Sequence, residues 1–175
     1  MAYSRPEPLR AKHVLEGFDC GEESLNTWLH RYSRHAETAD TARTFVTTSD
    51  GKQVVGFFSL TVGQVQPEDA TVRLLKGQPA DRPVPVVILA RLAVDRAHQG
   101  KDLGRSLLQE AMLRFNDLAK HAGVRALAAH ALDEQAKAFY LRFGFDESPT
   151  DPLHLILLAK DLNRFLDQAG GREGP

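Results

Sequence analysis

One strand–loop–helix–strand stretch in the middle of the chain most constrains its fold. Residues 85–94 form a continuous β-rich segment that is apolar except for Arg91, which indicates a strand buried on both faces. A glycine-containing loop follows at 98–105, and after it the apolar residues recur at helical spacing until Gly123. Residues 124–130 have the composition of a further strand. This order predicts a βαβ unit whose two strands run parallel.

The segments before this unit predict antiparallel structure. The β-rich segments 44–48 and 54–65 are separated by the turn-forming residues 49–52, so we expect a hairpin. Residues 9–15 suit a short strand. Residues 67–83 are rich in proline, glycine and charge, and suit a surface connection that holds a short helix.

The segments after the unit complete an α/β pattern. Asp133 suits the N-cap of a helix that ends at Gly144, and residues 152–159 suit a last strand. We therefore predict an α/β fold with a mixed central sheet flanked by helices. We expect one domain over residues 1–169 and a disordered tail at 170–175.

The bulk composition excludes several function classes. The chain has 22 Lys and Arg against 23 Asp and Glu, so its net charge gives no reason to expect a nucleic-acid or membrane partner, although a local basic face stays open. Cys20 is the single cysteine, which excludes an intrachain disulfide and a cysteine-based zinc site. The seven histidines lack metal-ligand spacing, so no metal is expected. We expect a cytoplasmic location and no membrane contact, because the sequence shows neither an apolar run of about 18 residues nor a signal peptide.

The loop between the buried strand and the long helix has the features of an anion site. Backbone N–H groups of the loop and of the helix start are available as donors, and Gly100 and Gly104 permit close approach of a ligand. Lys101 and Arg105 add positive charge. The Gly-Lys-Ser/Thr ending of a Walker loop and the Gly-x-Gly-x-x-Gly pattern of a dinucleotide site are both absent. From these residues alone, a phosphate site and a tight turn both remain open.

The segment 99–104 resembles the acyl-CoA pyrophosphate loop of the GNAT acetyltransferases, whose pattern is Gln/Arg-x-x-Gly-x-Gly/Ala. Gln99 matches the first position and Gly104 the last, whereas Asp102 stands where the family has glycine. Aspartate tolerates unusual backbone angles better than most residues. Its carboxylate repels a diphosphate, however, so we expect weaker binding of acetyl-CoA than in a relative that keeps the glycine.

Two further segments extend the resemblance over residues 85–160. The segment 91–95 is similar to the family strand whose backbone pairs with the pantetheine arm, and the segment 136–145 matches the family pattern Ala-x-x-Phe-Tyr-x-x-x-Gly-Phe. The resemblance implies a GNAT fold with acetyl-CoA as co-substrate. The cofactor-binding residues that it implies are Leu92, Ala93, Val94, Gln99, Gly100, Lys101, Asp102, Leu103, Gly104, Arg105 and Phe139.

The N-terminal half resembles a narrower group. The Phe-x-Cys-Gly at 18–21, the Leu-x-x-Trp-Leu at 25–29 and residues 41–46 are similar to the GNAT toxins of bacterial type II toxin–antitoxin pairs, the TacT-like and AtaT-like group. This resemblance implies acetyl transfer from acetyl-CoA to the α-amine of aminoacyl-tRNA, which blocks translation. It also implies a ribbon-helix-helix antitoxin, contact with operator DNA only through the antitoxin complex, and a homodimer.

The chemistry of an amine attacking a thioester assigns roles to a few residues. Backbone N–H groups near Ala93 and Val94 could stabilise the oxyanion. Tyr140 matches the family tyrosine that protonates the CoA sulfur, and the alternative is a half-buried aromatic residue that only packs. No general base stands out, because His130 and His154 could equally be structural. An α-amine with a pKa near 8 is about a tenth neutral at pH 7, so a site without a base favours it over a lysine.

The basic residues are unevenly distributed, which leaves room for a local RNA-binding face. Six basic and two acidic residues lie between positions 73 and 101. The candidate tRNA-binding residues are Arg34, Arg43, Arg82 and Arg91. Two other hypotheses stay open: a GNAT enzyme that acetylates a protein lysine or a small amine, and a catalytically weakened GNAT domain that acts by binding a partner. Asp102 is the residue that keeps the last one open.

Overall fold

The structure, a computed structural model, describes residues 2–170. Within them, seven strands form one sheet in the order β1-β2-β3-β4-β5-β7-β6. The strands are β1 (Glu7–Pro8), β2 (Arg43–Thr48), β3 (Val54–Val65), β4 (Val84–Val94), β5 (Ala126–His130), β6 (Asp146–Glu147) and β7 (His154–Leu158). The predicted mixed sheet flanked by helices is confirmed. Residues 171–175, most of the predicted tail, lie outside the described residues.

The helical segments lie between and after these strands. They are α1 (Glu23–Thr27), a π-helical turn (Trp28–Tyr32), α2 (Ser33–Thr38), α3 (Val72–Leu75), α4 (Leu103–His121), α5 (Glu134–Arg142) and α6 (Ala159–Gly170). Helix α4 connects the neighbouring strands β4 and β5, and a long crossover of this kind is the connection that parallel strands require. Among the described residues, no helix combines the length and the apolar character needed to span a bilayer.

The chain divides into two compact units, Met1–Thr61 with Leu89–Ala111 and Val62–Ile88 with Met112–Pro175. Each unit is described by itself. The single domain expected over residues 1–169 stays a prediction.

The first unit contains the predicted hairpin. β2 and β3 pair antiparallel with Arg43 opposite Leu60, and a bulge separates Thr47 from Thr48. β1 adds to the other side of β2. The fully or nearly buried side chains of this unit form a core with Trp28 packed against it, and its members are Leu15, Phe18, Leu29, Val46, Val54, Phe57 and Ala93.

The prediction of a strand at residues 9–15 is wrong. The strand lies at Glu7–Pro8, and the following residues form a turn that His13 closes from the inside. Nδ1 of His13 accepts from the N–H of Arg10 at 2.9 Å, while its Nε2 bonds Oε1 of Glu7 at 2.7 Å. A buried histidine with both ring nitrogens engaged outweighs the strand propensity of this segment.

The second unit is built on β5 and β7, which pair antiparallel from Ala126 opposite Leu158 to His130 opposite His154. β6 pairs with the other side of β7. Helix α5 begins as predicted: Oδ1 of Asp133 accepts from the N–H of Ala136 at 2.8 Å. Gly144, with φ +89°, follows its end. The connection 67–83 contains a 3₁₀ turn and α3, which confirms the predicted short helix.

Candidate active site

A side-chain amide ties the predicted diphosphate loop to the end of β4. Nε2 of Gln99 donates to the backbone carbonyl of Val94 at 2.9 Å and to that of Cys20 at 3.3 Å. Between Val94 and Gln99, Oδ1 of Asp95 accepts from the N–H of Ala97 at 2.9 Å and caps a 3₁₀ turn. The amide donors of Gln99 are therefore engaged within the protein, and they fix where the loop leaves the strand.

Two residues of this loop have left-handed backbone. φ is +76° at Gly100 and +62° at Asp102. The carbonyl of Asp102 accepts from the N–H of Ser106 at 3.1 Å, so Asp102 forms the start of α4. A residue with a side chain adopts this conformation at a cost of about 1 kcal/mol, and aspartate is among the residues that adopt it most readily. Asp102, which stands where the GNAT pattern has glycine, therefore has a backbone conformation that favours glycine.

The exposed part of the loop has the donors that a diphosphate needs. Lys101 and Arg105 are exposed, whereas Leu103 is buried and anchors the first turn of α4. The first N–H groups of this 19-residue helix have no partner within the helix. Backbone donors at a helix start together with two cations suit a diphosphate, and the carboxylate of Asp102 opposes them.

The N-terminal segment lies against this loop. The hydroxyl of Tyr3 is 2.9 Å from Nδ1 of His98, and the two rings meet edge to face at 5.6 Å. Nζ of Lys101 is 6.0 Å from the centroid of the Tyr3 ring. Arg5, two residues further on, pairs with the buried carboxylate of Glu110 on α4. These contacts hold residues 3–5 beside the loop and the helix that follows it.

The strand segment that the resemblance assigns to the acyl arm is half-buried. Ala93 is buried, while Leu92 and Val94 are partly exposed. Gly56 on β3 packs closely beside it: a Cβ at this position would lie 3.0 Å from Cδ1 of Leu107 and 3.5 Å from the carbonyl oxygen of Ala93. The glycine thus permits the close approach of β3 to this segment.

Arg91, two residues before Ala93, has an unusual environment. Its guanidinium carbon lies 4.1 Å from the centroid of the Trp28 ring. Trp28 in turn stacks on Phe57 with an angle of 9° between the rings. Burial lowers the pKa of Arg91 below its usual value, and no carboxylate within residues 2–170 pairs with the guanidinium.

The other candidate tRNA-binding arginines differ in how their charge is used. Arg43 pairs with Asp40 at 2.6 Å and Glu37 at 3.3 Å. Arg34 donates to the backbone carbonyls of His13 at 2.6 Å and Arg10 at 3.1 Å. Arg82, in the second unit, is exposed. Arg34 and Arg43 thus form hydrogen bonds or ion pairs within the protein.

In the second unit, Tyr140 lies in an aromatic cluster at the end of α5. Its side chain is almost fully buried, and its ring meets Phe139 at 5.4 Å and Phe145 at 5.3 Å, both edge to face. Phe139 also contacts Phe143. Desolvation by burial raises the pKa of the Tyr140 phenol well above its ordinary value of 10.0. The phenol therefore stays protonated throughout the neutral pH range.

The histidines considered as general bases lie together at the ends of β5 and β7. Nε2 of His130 is 3.2 Å from Oδ2 of Asp151, and the His130 and His154 rings are 6.5 Å apart. Burial lowers the pKa of His154, and the neighbouring His130 acts in the same direction.

In the first unit, burial raises the pKa of the Cys20 thiol, so the reactive thiolate is disfavoured. Across residues 2–170, no group of three or more His, Cys, Asp and Glu side chains is placed to hold a metal ion.

Comparison with known proteins assigns the family. The sequence profile of the acetyltransferase (GNAT) family matches residues 12–145. The chain belongs to the GNAT acetyltransferase family. It is 44% identical over 164 residues to a tRNA-acetylating toxin of Mycobacterium tuberculosis, a match that covers 94% of this chain and 97% of that protein.

Solved structures give the same assignment for the fold. AtaT complexed with acetyl-methionyl-tRNAfMet matches with a TM-score of 0.84 and 26% identity over 94% of this chain and 99% of that one. A tyrosine-to-phenylalanine mutant of the AtaT toxin, bound to the C-terminus of the antitoxin AtaR and to acetyl-CoA, matches with a TM-score of 0.79 and 25% identity over 95% and 99%. The GNAT fold predicted from three short motifs is therefore confirmed.

Two features of this GNAT acetyltransferase were not predicted from its sequence. Trp28 has helical spacing with Leu25 and Leu29, which only predicts a core residue, and nothing in that pattern indicates that Arg91 covers its ring. The contact between Tyr3 and His98 joins residues 95 positions apart, so no local pattern contains it. Both contacts join distant segments of the chain, so neither periodicity nor local spacing indicates them.

Proposed function

We propose that this acetyltransferase is a toxin that transfers acetyl from acetyl-CoA to the α-amine of aminoacyl-tRNA and thereby blocks translation. The observation that carries the proposal is the 44% identity to a tRNA-acetylating toxin over almost the full length of both chains. A similarity of this extent includes the N-terminal half, in which GNAT enzymes with other acceptors have no reason to agree.

The loop after β4 has the role of binding the diphosphate of acetyl-CoA. Its left-handed residues, its helix-start donors and the cations Lys101 and Arg105 support this role. Leu92, Ala93 and Val94 would pair through their backbone with the acyl arm, and an N–H of this segment would stabilise the oxyanion. Acetyl-CoA, when bound, supplies an activated acyl group as a thioester.

Tyr140 has the role of the proton donor to the leaving thiolate. The ordinary pKa of a phenol exceeds that of a thiol by about 1.5 units, so the transfer is uphill by roughly 2 kcal/mol before any effect of the surroundings. Burial raises the pKa of the phenol further, but surroundings of low polarity also disfavour a bare thiolate. A donor that stays protonated at every physiological pH suits a step in which the proton moves as the charge develops.

The similarity to the AtaT toxin, whose structure was solved with its antitoxin AtaR, supports the partners that we propose. An antitoxin of ribbon-helix-helix type would neutralise the enzyme, operator DNA would be contacted only through that complex, and the toxin would act as a homodimer. The substrate is a cytoplasmic molecule, so we place the activity in the cytoplasm and assign residues 1–169 to one acetyltransferase domain.

Incubation of the purified protein with labelled acetyl-CoA and a pool of charged tRNA tests the proposal. We expect label in an N-acetyl-aminoacyl ester of the tRNA, from which mild alkali releases the labelled N-acetyl-amino acid, and none with a deacylated pool of the same tRNA. Label in a polyamine or a lysine peptide but not in charged tRNA would instead select a GNAT enzyme with another acceptor. Absence of acetyl-CoA binding in calorimetry would leave only a partner-binding domain.

A further inference from the structure

Within the part of the chain that the structure describes, Arg91 is a partly buried cation without a matching anion. Its guanidinium has lost part of its hydration, and desolvation is the one influence acting on its pKa. Removing a charged group from water without a counter-ion is unfavourable. By contrast, Arg73 in the second unit is exposed and pairs with both Asp146 and Asp161. Arg91 therefore has the properties of a residue whose anion belongs to a ligand.

The surroundings of Arg91 hold it in one orientation. The guanidinium covers Trp28 at 4.1 Å, and Trp28 stacks on Phe57, which is fully buried. Phe57 is itself held edge to face by Phe18. Cation–π contact fixes the plane of the guanidinium while its N–H groups remain free to donate at the edge. A planar fork of donors presented in this way suits a phosphate or a carboxylate.

The position of Arg91 along β4 separates it from the phosphates of acetyl-CoA. The loop that suits the diphosphate begins at Gln99, after the C-terminal end of the strand. The acyl arm would extend from that loop back along Val94 and Ala93, so Arg91 lies beyond its reactive end. The three residues from Arg91 to Val94 span about 10 Å. In an aminoacyl-tRNA, the α-amine is separated from the nearest phosphodiester by the ester and one ribose, which is a span of the same order.

We propose that Arg91, oriented by Trp28, binds the phosphodiester group on the 5′ side of the terminal aminoacyl-adenosine. This inference rests on the proposed function and names the part of its substrate that the site recognises. The guanidinium donates two hydrogen bonds to one phosphate and thereby places the α-amine at the acyl-binding segment. Because the contact is to the backbone of the RNA, it is independent of the base sequence.

Two small acceptors test the contact directly. One is the aminoacyl ester of a cytidylyl-adenosine dinucleotide, which has a single phosphodiester, and the other is the aminoacyl ester of adenosine, which has none. The measured quantity is the ratio of kcat/KM for the first acceptor to that for the second. Both values come from the same protein preparation, so any loss of folded enzyme in a variant cancels.

We expect the ratio to fall by about tenfold or more in Arg91→Gln, since a charge-assisted hydrogen-bonded pair is lost. Arg91→Lys should retain part of it, because the charge remains and the planar fork does not. Trp28→Leu should lower the ratio about fivefold through loss of the cation–π contact. Arg73→Gln changes the net charge by the same amount and should leave the ratio unchanged.

The outcomes separate the contact from the function on which it rests. A ratio within about twofold of wild type in Arg91→Gln overturns the phosphodiester contact. The contact is also overturned if Arg91→Gln binds acetyl-CoA more weakly, since the anion would then belong to the cofactor. It is likewise overturned if Arg91→Gln loses only antitoxin binding. A wild-type enzyme that acetylates neither charged tRNA nor the two esters overturns the proposed function itself.

Discussion

The side-chain amide of Gln99 donates to the backbone carbonyl of Val94 at 2.9 Å, which joins the first residue of the diphosphate loop to the strand that would hold the acyl arm. A second bond to the carbonyl of Cys20 uses the same nitrogen. The amide donors of Gln99 thus already have partners within the protein, so we expect Gln99 to affect the cofactor by positioning the loop.

Gln99→Ala tests this positioning role. Loss of about 1 kcal/mol of hydrogen bonding should raise KM for acetyl-CoA about fivefold and leave kcat nearly unchanged. The melting temperature without ligand should fall as well, which a residue that only contacts ligand would not cause. Gln64→Ala, on the exposed side of β3, serves as the control. Unchanged stability together with a higher KM would show that Gln99 binds the ligand directly.

Substitutions at Asp102 distinguish the effect of its carboxylate charge on binding from the effect of its left-handed backbone on stability. Asp102→Asn removes the carboxylate and keeps a side chain that tolerates φ of +62°, so acetyl-CoA should bind several-fold more tightly with little change in stability. Asp102→Ala removes the same charge but should destabilise the protein by about 1 kcal/mol, because alanine resists this backbone. Calorimetry and thermal unfolding measure the two effects.

Asp102→Gly completes the comparison. Relief of the backbone cost, about 1 kcal/mol, is nearly balanced by the larger entropy of glycine in the unfolded chain. Stability should therefore stay within about 0.5 kcal/mol of wild type, while acetyl-CoA affinity rises as in the asparagine variant. Equal affinity in all four proteins would mean that the carboxylate does not reach the diphosphate.

Much of this fold and site is visible in the sequence because its determinants are local. The cap at Asp133 and the helix stop at Gly144 act within a few positions, and the structure has both as predicted, while the binding role of the loop residues stays a prediction. The strand expected at 9–15 failed because His13, a residue of neutral propensity, is buried between Glu7 and the backbone of Arg10.

The residues around the predicted loop could not be predicted, since they come from distant segments. The Trp28 ring receives Arg91 from a strand more than sixty positions away, and Tyr3 meets His98 across 95 positions. Charge counting likewise treats Arg43 and Arg91 as equal, whereas the fold pairs the first with Asp40 and leaves the second without a carboxylate among residues 2–170.

Tyr140→Phe should remove catalysis and leave binding intact. The ring still fills its place between Phe139 and Phe145, so the melting temperature and the affinity for acetyl-CoA should stay near wild type. Without the phenolic proton, kcat should fall by about 100-fold or more. Tyr32→Phe, at an exposed position, is the control. A Tyr140→Phe enzyme with the wild-type kcat would assign the proton to another donor.

The pH dependence of the same reaction gives a second check on Tyr140. Its pKa is raised, so the protonated donor persists beyond pH 10, whereas the α-amine becomes neutral as the pH passes about 8. The rate should rise through that value and stay level up to about pH 10. A decline that begins near pH 9 in wild type would contradict a buried, protonated phenol as the donor.

The pair formed by Glu7 and His13 predicts how stability depends on acid. Oε1 of Glu7 bonds Nε2 of the buried His13 at 2.7 Å and Nζ of Lys12 at 3.0 Å, and hydrogen bonds from Lys12 and His13 lower the pKa of Glu7 below 4.5. A carboxyl group whose pKa is lowered by folding stabilises the protein at every pH above the pKa that the group has in the unfolded chain. This contribution disappears as the pH falls through the pKa of the group in the folded protein. Wild type should therefore exceed Glu7→Gln in free energy of unfolding by about 0.5–1 kcal/mol at pH 7. The difference should shrink below about pH 4.5 and vanish once Glu7 is protonated, because a neutral carboxyl group then resembles the amide.

Glu7→Ala provides the contrast, since it leaves the buried Nε2 of His13 without an acceptor. It should cost about 1–2 kcal/mol, and part of that loss should persist in acid, where the glutamine variant matches wild type. Glu16→Gln, at an exposed position of the same unit, is the matched control and should follow wild type at every pH. Urea unfolding from pH 3 to pH 7 measures all four proteins. A constant difference between wild type and Glu7→Gln over this range would show that the bond to His13 does not depend on the charge of Glu7.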